Sequence, residues 1–168
     1  MNGAGVRAGD GGLAVDILEE SGDWSAVPSA AGLVMAAAEA LARHPSVAVM
    51  LPAAVTIALG SDATVRQLNA AWRGKDKPTN VLSFPAMPTA RHEDGRRMLG
   101  DVIVALETLL AEAEAEVIAP GHHLQHLVIH GLLHLLGHDH EDDGEAERME
   151  AIEVEILATL GIDNPYAD

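Results

Sequence analysis

Short apolar runs separated by longer mixed segments occupy the first two thirds of the chain. Residues 14–18 (AVDIL), 54–59 (AVTIAL), 81–84 (VLSF) and 101–105 (DVIVA) are four to six residues long and rich in β-branched side chains. Runs of this length and composition predict strands, and Pro85 closes the third of them. The pattern therefore predicts a small sheet built from short strands.

Longer Ala-rich or amphipathic segments predict helices between and after these strands. Pro28-Ser29 begins one helix and His44-Pro45 ends it, and Ser61-Asp62 caps the next. Gly137 supplies the stop of a helix that begins at Pro120, and the last helix is acidic in its first turn. The five predicted helices cover residues 30–44, 61–72, 106–117, 120–136 and 141–160.

The order of these elements indicates the fold class. Strands come early and helices dominate late, so we expect an α+β fold: a single domain in which several helices cover a small mixed β-sheet. The Gly-rich residues 1–12 are predicted to be a disordered tail, and residues 13–168 the domain itself.

No segment has the length of a membrane span. The longest apolar run, residues 47–59, contains Pro52 and falls short of the roughly 20 residues that a bilayer requires. The N-terminus also lacks the apolar core of a signal peptide. We therefore predict a cytoplasmic protein with no membrane partner.

Charge and cysteine content narrow the chemistry. The net charge of −16 argues against general binding of polyanions such as DNA, but residues 66–97 hold seven basic residues against three acidic ones, a net of +4. The chain has no cysteine, which excludes disulfides, thiolate nucleophiles and cysteine-bound zinc. Any metal must be held by histidine and carboxylate.

Histidines concentrate around the end of the predicted fourth helix. His130 and His134 are four residues apart, so both imidazoles lie on one helix face, about 5–6 Å apart at Cβ. Gly137 allows the chain to reverse and bring His140 towards that face. The spacing predicts one Zn²⁺ per chain, held by these three histidines at the end of a central helix. The fourth coordination position stays open for a water whose pKa falls to about 7.

The remaining histidines receive other predictions. His138 competes with His140 as third ligand, although Gly137 interrupts the helix before it, and His126 is expected beside the site. The nearest carboxylates that could orient a ligand imidazole are residues 139 and 141–143. Three histidines are predicted at the surface: His44, His92 and His123.

The histidine spacing also matches the zinc-protease pattern His-Glu-x-x-His-x-x-Gly-x-x-His. In those enzymes the Glu after the first His is the general base, and here that position is Gly131. A zinc metalloprotease-like hydrolase therefore remains an alternative, although the glutamate that would act as its general base is absent. A non-catalytic protein that zinc stabilises remains another.

Five segments in chain order resemble the YbeY family of bacterial endoribonucleases, and together they cover roughly residues 54–166. They are Leu68-Asn69-x-x-Trp72-Arg73-x-Lys75-Asp76-Lys77-Pro78-Thr79-Asn80 with the strand after it, Leu99-Gly100-Asp101, His130 to His140, Glu145-Ala-Glu-x-Met149-Glu150, and Leu160-Gly-x-Asp-Asn-Pro-Tyr166. The chain departs from the family where His138 replaces the usual Tyr, Asn80 a frequent Asp, and Ala105 a common small polar residue.

The resemblance implies a function and partners. It implies a zinc-dependent endoribonuclease that prefers single strands and acts in ribosomal RNA maturation at the 16S 3′ end and in ribosome quality control. The implied partners are the small ribosomal subunit, a small-subunit ribosomal protein and an assembly GTPase. With these partners, the non-catalytic alternative is a zinc-stabilised ribosome assembly factor. The resemblance also places a functionally important arginine, Arg73, beside the metal.

The chemistry of RNA cleavage suits these residues. Arg73 can donate two hydrogen bonds to one phosphate from its planar fork, and Lys75 and Lys77 can bind the RNA backbone as point charges. We therefore predict Arg73 and His130 as catalytic residues, and Arg73, Lys75 and Lys77 as RNA-binding residues.

Overall fold

The computed structural model describes residues 6–8, 12–138 and 142–167, which form one mixed sheet flanked by helices. The strands are β1 (Val6–Ala8), β2 (Leu13–Glu19), β3 (Ala53–Gly60), β4 (Val81–Pro85) and β5 (Met98–Ala105). The helices are α1 (Ala30–Arg43), α2 (Pro45–Ala48), α3 (Asp62–Arg73), α4 (Leu106–Glu116), α5 (Pro120–Leu135) and α6 (Asp143–Thr159).

The sheet has the order β1-β2-β3-β5-β4. Strands β2, β3 and β5 run parallel, while β1 pairs antiparallel with β2 and β4 pairs antiparallel with β5. This arrangement confirms the predicted α+β fold with a small mixed sheet. The four strands and five long helices predicted from the sequence are confirmed as well, with ends that shift by up to three residues.

Two short elements differ from the sequence predictions. Val6–Ala8, inside the predicted disordered tail, form β1 because the backbone of β2 would otherwise be an open sheet edge. The rest of that tail, apart from Gly12, lies outside the described residues. Helix α2 follows where α1 ends: the His44 imidazole accepts the Ser46 backbone N–H at 3.2 Å, which caps a helix that begins at Pro45.

The two faces of the sheet pack against different helices. Val55, Ile57 and Val104 face the main core, where α1 and α5 lie. On the other face, Val65 of α3 packs against Leu82 and Ile103. Helix α5 contacts α1, α4, α6, β4 and β5, so it is the central helix of the fold. No helix among the described residues combines the length and apolarity needed to cross a bilayer.

Gly131 allows α5 to approach the sheet closely. A Cβ at this position would lie 2.9 Å from Val102 Cγ1 and 3.2 Å from Ser83 Oγ. The Ser83 hydroxyl, in turn, donates a hydrogen bond to the Gly131 carbonyl at 3.0 Å. Because this contact fixes α5 against β4 and β5, it also fixes the residues before and after Gly131 on the same helix.

Candidate metal centre and its pocket

His130 and His134 occupy consecutive turns at the C-terminal end of α5. Their Nε2 atoms are 3.1 Å apart, and the two rings meet edge to face with centroids 4.7 Å apart. Two nitrogens bound at about 2.0–2.1 Å to one tetrahedral ion would be about 3.3–3.4 Å apart. The two imidazoles therefore fit a single shared ion with a movement of a few tenths of an ångström.

The chain reverses after α5 as the sequence predicts. Gly137 has a φ of +98°, a left-handed conformation that glycine adopts without strain. The N–H of His138 bonds back to the Leu133 carbonyl at 3.0 Å. His140, the predicted third ligand, lies outside the described residues. Within the ranges that are described, no group of three candidate ligands converges, so the three-histidine set stays a prediction.

The carboxylate of Glu153, on α6, orients the His130 imidazole through a hydrogen bond. This carboxylate is fully buried, and Oε1 accepts a hydrogen bond from His130 Nδ1 at 2.5 Å. The other oxygen, Oε2, accepts from His126 Nε2 at 3.1 Å and from the Tyr166 hydroxyl. Three donors thus surround a carboxylate that has no exposure to water.

This network fixes the protonation of Glu153. Burial raises the pKa of Glu153, but the hydrogen bonds from His126, His130 and Tyr166 outweigh burial and lower the pKa to about 2. An ionised carboxylate only accepts hydrogen bonds, so the proton of a neutral His130 must sit on Nδ1. The lone pair is then on Nε2, the atom that faces His134, which is the form a metal ligand requires.

Arg73 shares a pocket of about 380 Å³ with the histidine pair. Its Nη2 donates to the Ser83 carbonyl at 2.9 Å, and its guanidinium lies 5.8 Å from the centre of the Phe84 ring. The pocket is lined by Arg73, Thr79, Asn80, Ser83, His130 and His134, among others. The structure therefore brings together the two residues predicted to be catalytic, Arg73 and His130.

Lys75 and Lys77 are exposed in the loop that follows α3, and neither lines this pocket. Gly74, with a φ of +67°, ends α3. The buried Asn69 anchors this loop, because its Nδ2 donates a hydrogen bond to the Lys77 carbonyl at 2.9 Å. Both lysines thus extend from an anchored loop beside the pocket.

Glu112 of α4 connects the pocket to the start of α5. Its Oε1 accepts a hydrogen bond from Asn80 Nδ2 at 3.1 Å, and His123 Nε2 lies 2.8 Å from the same oxygen. Asn80 immediately precedes β4, and its carbonyl accepts the Ala105 N–H. One wall of the pocket is therefore tied to two helices through a single carboxylate.

Three histidines predicted at the surface have covered side chains instead. His123 is buried against Glu112, His92 lies between Asp16 and Asp94, and the His44 side chain, only 12% exposed, contacts Glu155. Each of the three predictions was wrong because the carboxylate that covers the histidine is brought to it by the fold. No local sequence pattern indicates that contact.

The carboxylate that orients His130 is Glu153, and neither Asp142 nor Asp143. Asp142 instead caps α6 by accepting the Glu145 N–H at 2.7 Å, and Asp143 is exposed at the start of that helix. Residues 139 and 141 lie outside the described ranges. Glu153, 23 residues after His130, was missed. The available signal was its place between the buried Met149 and Ile156, where a solvated charge is not expected.

The single-domain α+β fold places paired imidazoles and an arginine in one pocket, an arrangement suited to a metal-dependent hydrolase. The chain belongs to the YbeY family, because residues 24–161 match the family described as Endoribonuclease YbeY.

Two relatives carry the name of this family, and a solved structure is similar in fold. The chain is 55% identical to the Endoribonuclease YbeY of Azorhizobium caulinodans over 157 residues, which covers 92% of this chain and 97% of that protein. It is 50% identical to the protein of the same name from a Bradyrhizobium species, over 86% of this chain and 87% of that one. A solution structure of a Thermotoga maritima protein matches 92% of this chain and 99% of its own, with 25% identity and a TM-score of 0.53.

Proposed function

We propose that this chain is a zinc-dependent endoribonuclease that cleaves single-stranded regions of ribosomal RNA. The observation that carries the proposal is the 3.1 Å approach of His130 Nε2 and His134 Nε2 in one pocket with Arg73. Membership in a family of endoribonucleases, which in general terms are metalloenzymes, supports both the RNA substrate and the metal.

His130, His134 and His140 would hold the ion. When bound, zinc supplies a hydroxide near neutral pH and a Lewis acid for the phosphate oxygens. The chain's own contribution is to present the ligands correctly: Glu153 keeps the His130 proton on Nδ1, and Gly131 holds the helix against the sheet. Both contributions prepare the site before RNA arrives.

Arg73 would bind the scissile phosphate. Its guanidinium has five N–H donors, and the bond from Nη2 to Ser83 fixes the plane of the fork beside the histidines. A fixed cation stabilises negative charge that builds on phosphate oxygens during cleavage. Lys75 and Lys77 would bind the neighbouring backbone from their anchored loop.

The cellular setting we propose follows the family. The substrate would be the 16S RNA 3′ end during maturation and quality control of the small ribosomal subunit. A small-subunit ribosomal protein and an assembly GTPase would be partners, and the protein would act in the cytoplasm.

The protease alternative is disfavoured by the geometry at Gly131. A zinc protease needs a glutamate at this position, but a Cβ there would already meet Val102 at 2.9 Å. The same Cβ would lie 3.2 Å from Ser83 Oγ, so the position faces the packed interface with the sheet. A general base cannot be introduced at this residue without moving α5.

The test measures cleavage and metal together. Precursor ribosomal RNA is incubated with the wild-type protein, His134→Ala and His122→Ala, and zinc content is determined for each. His122 is an exposed histidine on the same helix outside the pocket, so it is the matched control. We expect about one zinc and cleavage in the wild type and His122→Ala, and loss of both in His134→Ala. Bound zinc without chelator-sensitive cleavage would instead indicate the non-catalytic assembly factor.

The third ligand is tested separately. We expect His140→Ala to lose zinc and His138→Ala to retain it, because a chain that turns at Gly137 is expected to bring His140, and not His138, to the histidine pair. The reverse pattern would overturn the assignment of His140.

A further inference from the structure

The C-terminal segment after α6 folds back onto the central helices. Gly161, with a φ of +76°, ends α6, and the Ile162 N–H bonds to the Leu157 carbonyl at 3.0 Å. Ile162 packs against the core. Asn164 Oδ1 then accepts the Tyr166 N–H at 2.8 Å, which forms a tight turn through Pro165. The segment therefore delivers Tyr166 to a defined place.

Tyr166 reaches the buried network beneath the metal centre. Its hydroxyl donates to Glu153 Oε2 and lies 3.2 Å from His126 Nε2, and its ring meets the His126 ring edge to face at 5.6 Å. Although 42% of Tyr166 is exposed, its hydroxyl bonds a carboxylate with no exposure at all. The hydroxyl of a partly exposed residue thus reaches the buried interior.

We propose that Tyr166 is a positioning residue of the metal centre, acting through Glu153 on His130. This inference rests on the zinc site proposed above. Tyr166 and His126 together occupy Oε2, so the carboxylate plane is fixed and Oε1 is directed at His130 Nδ1. The His130 ring then presents its Nε2 lone pair towards the ion that it shares with His134.

Because Glu153 is buried, loss of the Tyr166 hydroxyl should disturb the position of its carboxylate. A fully buried carboxylate oxygen that loses a donor is left without a hydrogen bond, so the carboxylate must rotate or the surroundings must open. Either change weakens the hold on His130. Groups that hydrogen-bond to metal ligands in this way typically alter metal affinity by about 10- to 100-fold when removed.

Zinc affinity is the first test. Tyr166→Phe removes the hydroxyl and keeps the ring. The control, Thr159→Val, removes a hydroxyl from α6 that donates to the Ile156 carbonyl of the same helix. In competition with a chelator, we expect Tyr166→Phe to bind zinc about tenfold more weakly than the wild type, and Thr159→Val to match the wild type. At saturating zinc, the kcat of Tyr166→Phe should return to near the wild-type value, which loss of a merely structural residue would not produce.

A second test needs no metal and no activity. Nitrogen NMR of the histidine side chains in the zinc-free protein reports which ring nitrogen of His130 carries the proton. We expect the Nδ1-protonated form to dominate in the wild type and Thr159→Val, and its share to fall in Tyr166→Phe.

The outcomes separate this inference from the proposed function. Unchanged zinc affinity and an unchanged His130 proton in Tyr166→Phe, beside normal zinc binding and cleavage by the wild type, would overturn the role of Tyr166 alone. Absence of zinc from the wild-type protein would overturn the proposed function and, with it, any role of Tyr166 in metal binding.

Discussion

Arg73 extends from the last turn of α3 into the pocket, where the Ser83 carbonyl holds one of its nitrogens. A lysine at this position could keep the charge, but a single ammonium cannot bond Ser83 and present two coplanar donors to a phosphate at once. The contribution of Arg73 should therefore lie in the geometry of its donors more than in its charge.

Arg73→Lys tests this distinction. We expect the fold, the zinc content and the RNA affinity to stay close to those of the wild type, while kcat falls by about 100-fold, because removing one such donor from a developing oxyanion costs about that much. Steady-state kinetics on a defined RNA, with binding measured separately, provide the comparison. Equal kcat values for the two proteins would exclude Arg73 from the catalytic residues.

At the same scale, single residues show where sequence reasoning ends. The spacing of His130 and His134 was sufficient to predict their convergence, since a helix fixes the relation between positions four apart. Glu153 could not be located in that way, because its contact with His130 depends on how α6 packs on α5. Its helical spacing from Met149 and Ile156 indicates a buried face, but nothing in that spacing identifies His130 as its partner.

Among the elements, α5 is the one whose placement decides the site. Gly131→Ala places a methyl group 2.9 Å from Val102 Cγ1, inside a packed interface. We expect a loss of about 1–3 kcal/mol in the free energy of unfolding, the usual cost of overpacking, together with weaker zinc binding as α5 shifts. Denaturant unfolding and zinc competition on the same protein would show whether the two losses occur together.

Gly32 offers a matched control for that substitution. It also lies within a helix, α1, but a Cβ there would meet nothing within 4 Å. Gly32→Ala should therefore increase the free energy of unfolding by about 0.5–1 kcal/mol through helix propensity alone. A stable Gly131→Ala protein would contradict the close approach of α5 to the sheet.

The loop between β4 and β5 is held to β2 through His92. Its Nε2 lies 3.0 Å from Asp16 Oδ2 and its Nδ1 lies 3.0 Å from Asp94 Oδ1, while Arg96 contacts the other Asp94 oxygen at 3.5 Å. Hydrogen bonds to Asp16 and then to Asp94 raise the pKa of His92 against the effect of burial. The imidazolium thus stabilises this connection.

Because the folded pKa is raised, the stabilisation by His92 is complete below its unfolded pKa of about 6.5 and is lost as pH rises through the folded value. We expect the Tm difference between the wild type and His92→Gln to be largest near pH 6 and to shrink towards about pH 9. A difference that stays constant over this range would show that His92 acts by packing alone.

The sequence predicted most elements because their signals are local. Ser61 caps α3 by accepting the Thr64 N–H, and Gly137 reverses the chain after α5, as their residue types indicate. The order of strands in the sheet was not predictable, since it depends on how distant segments pack. The four-residue α2 and the three-residue β1 are too short to produce a periodic pattern.

For the whole molecule, the distribution of charge matters more than the total of −16. Within the basic stretch, Arg66 pairs with Asp76 through two bonds, and Arg96 contacts Asp94. Lys75 and Lys77, by contrast, are exposed beside the pocket that contains Arg73. We therefore expect the RNA-binding surface to be these three residues and not residues 66–97 as a whole.

Salt dependence tests that surface. RNA affinity should fall steeply as salt increases, because each phosphate contact releases counterions. Lys75→Glu and Lys77→Glu should each weaken binding and flatten this dependence. Arg43→Glu on α1 changes the net charge equally and should have a much smaller effect. Similar losses in all three variants would indicate that only the overall field of the protein acts on RNA.

The hydrogen bond between Asn80 and Glu112 has an evolutionary consequence. An aspartate at position 80, which the family resemblance implies is frequent, would place two carboxylates within about 3 Å of each other. The two positions should therefore covary: sequences with aspartate at 80 should have a neutral or basic residue at 112, while those with asparagine should tolerate glutamate. A double-mutant cycle would show the same coupling in the laboratory, since Glu112→Gln should recover stability lost in Asn80→Asp.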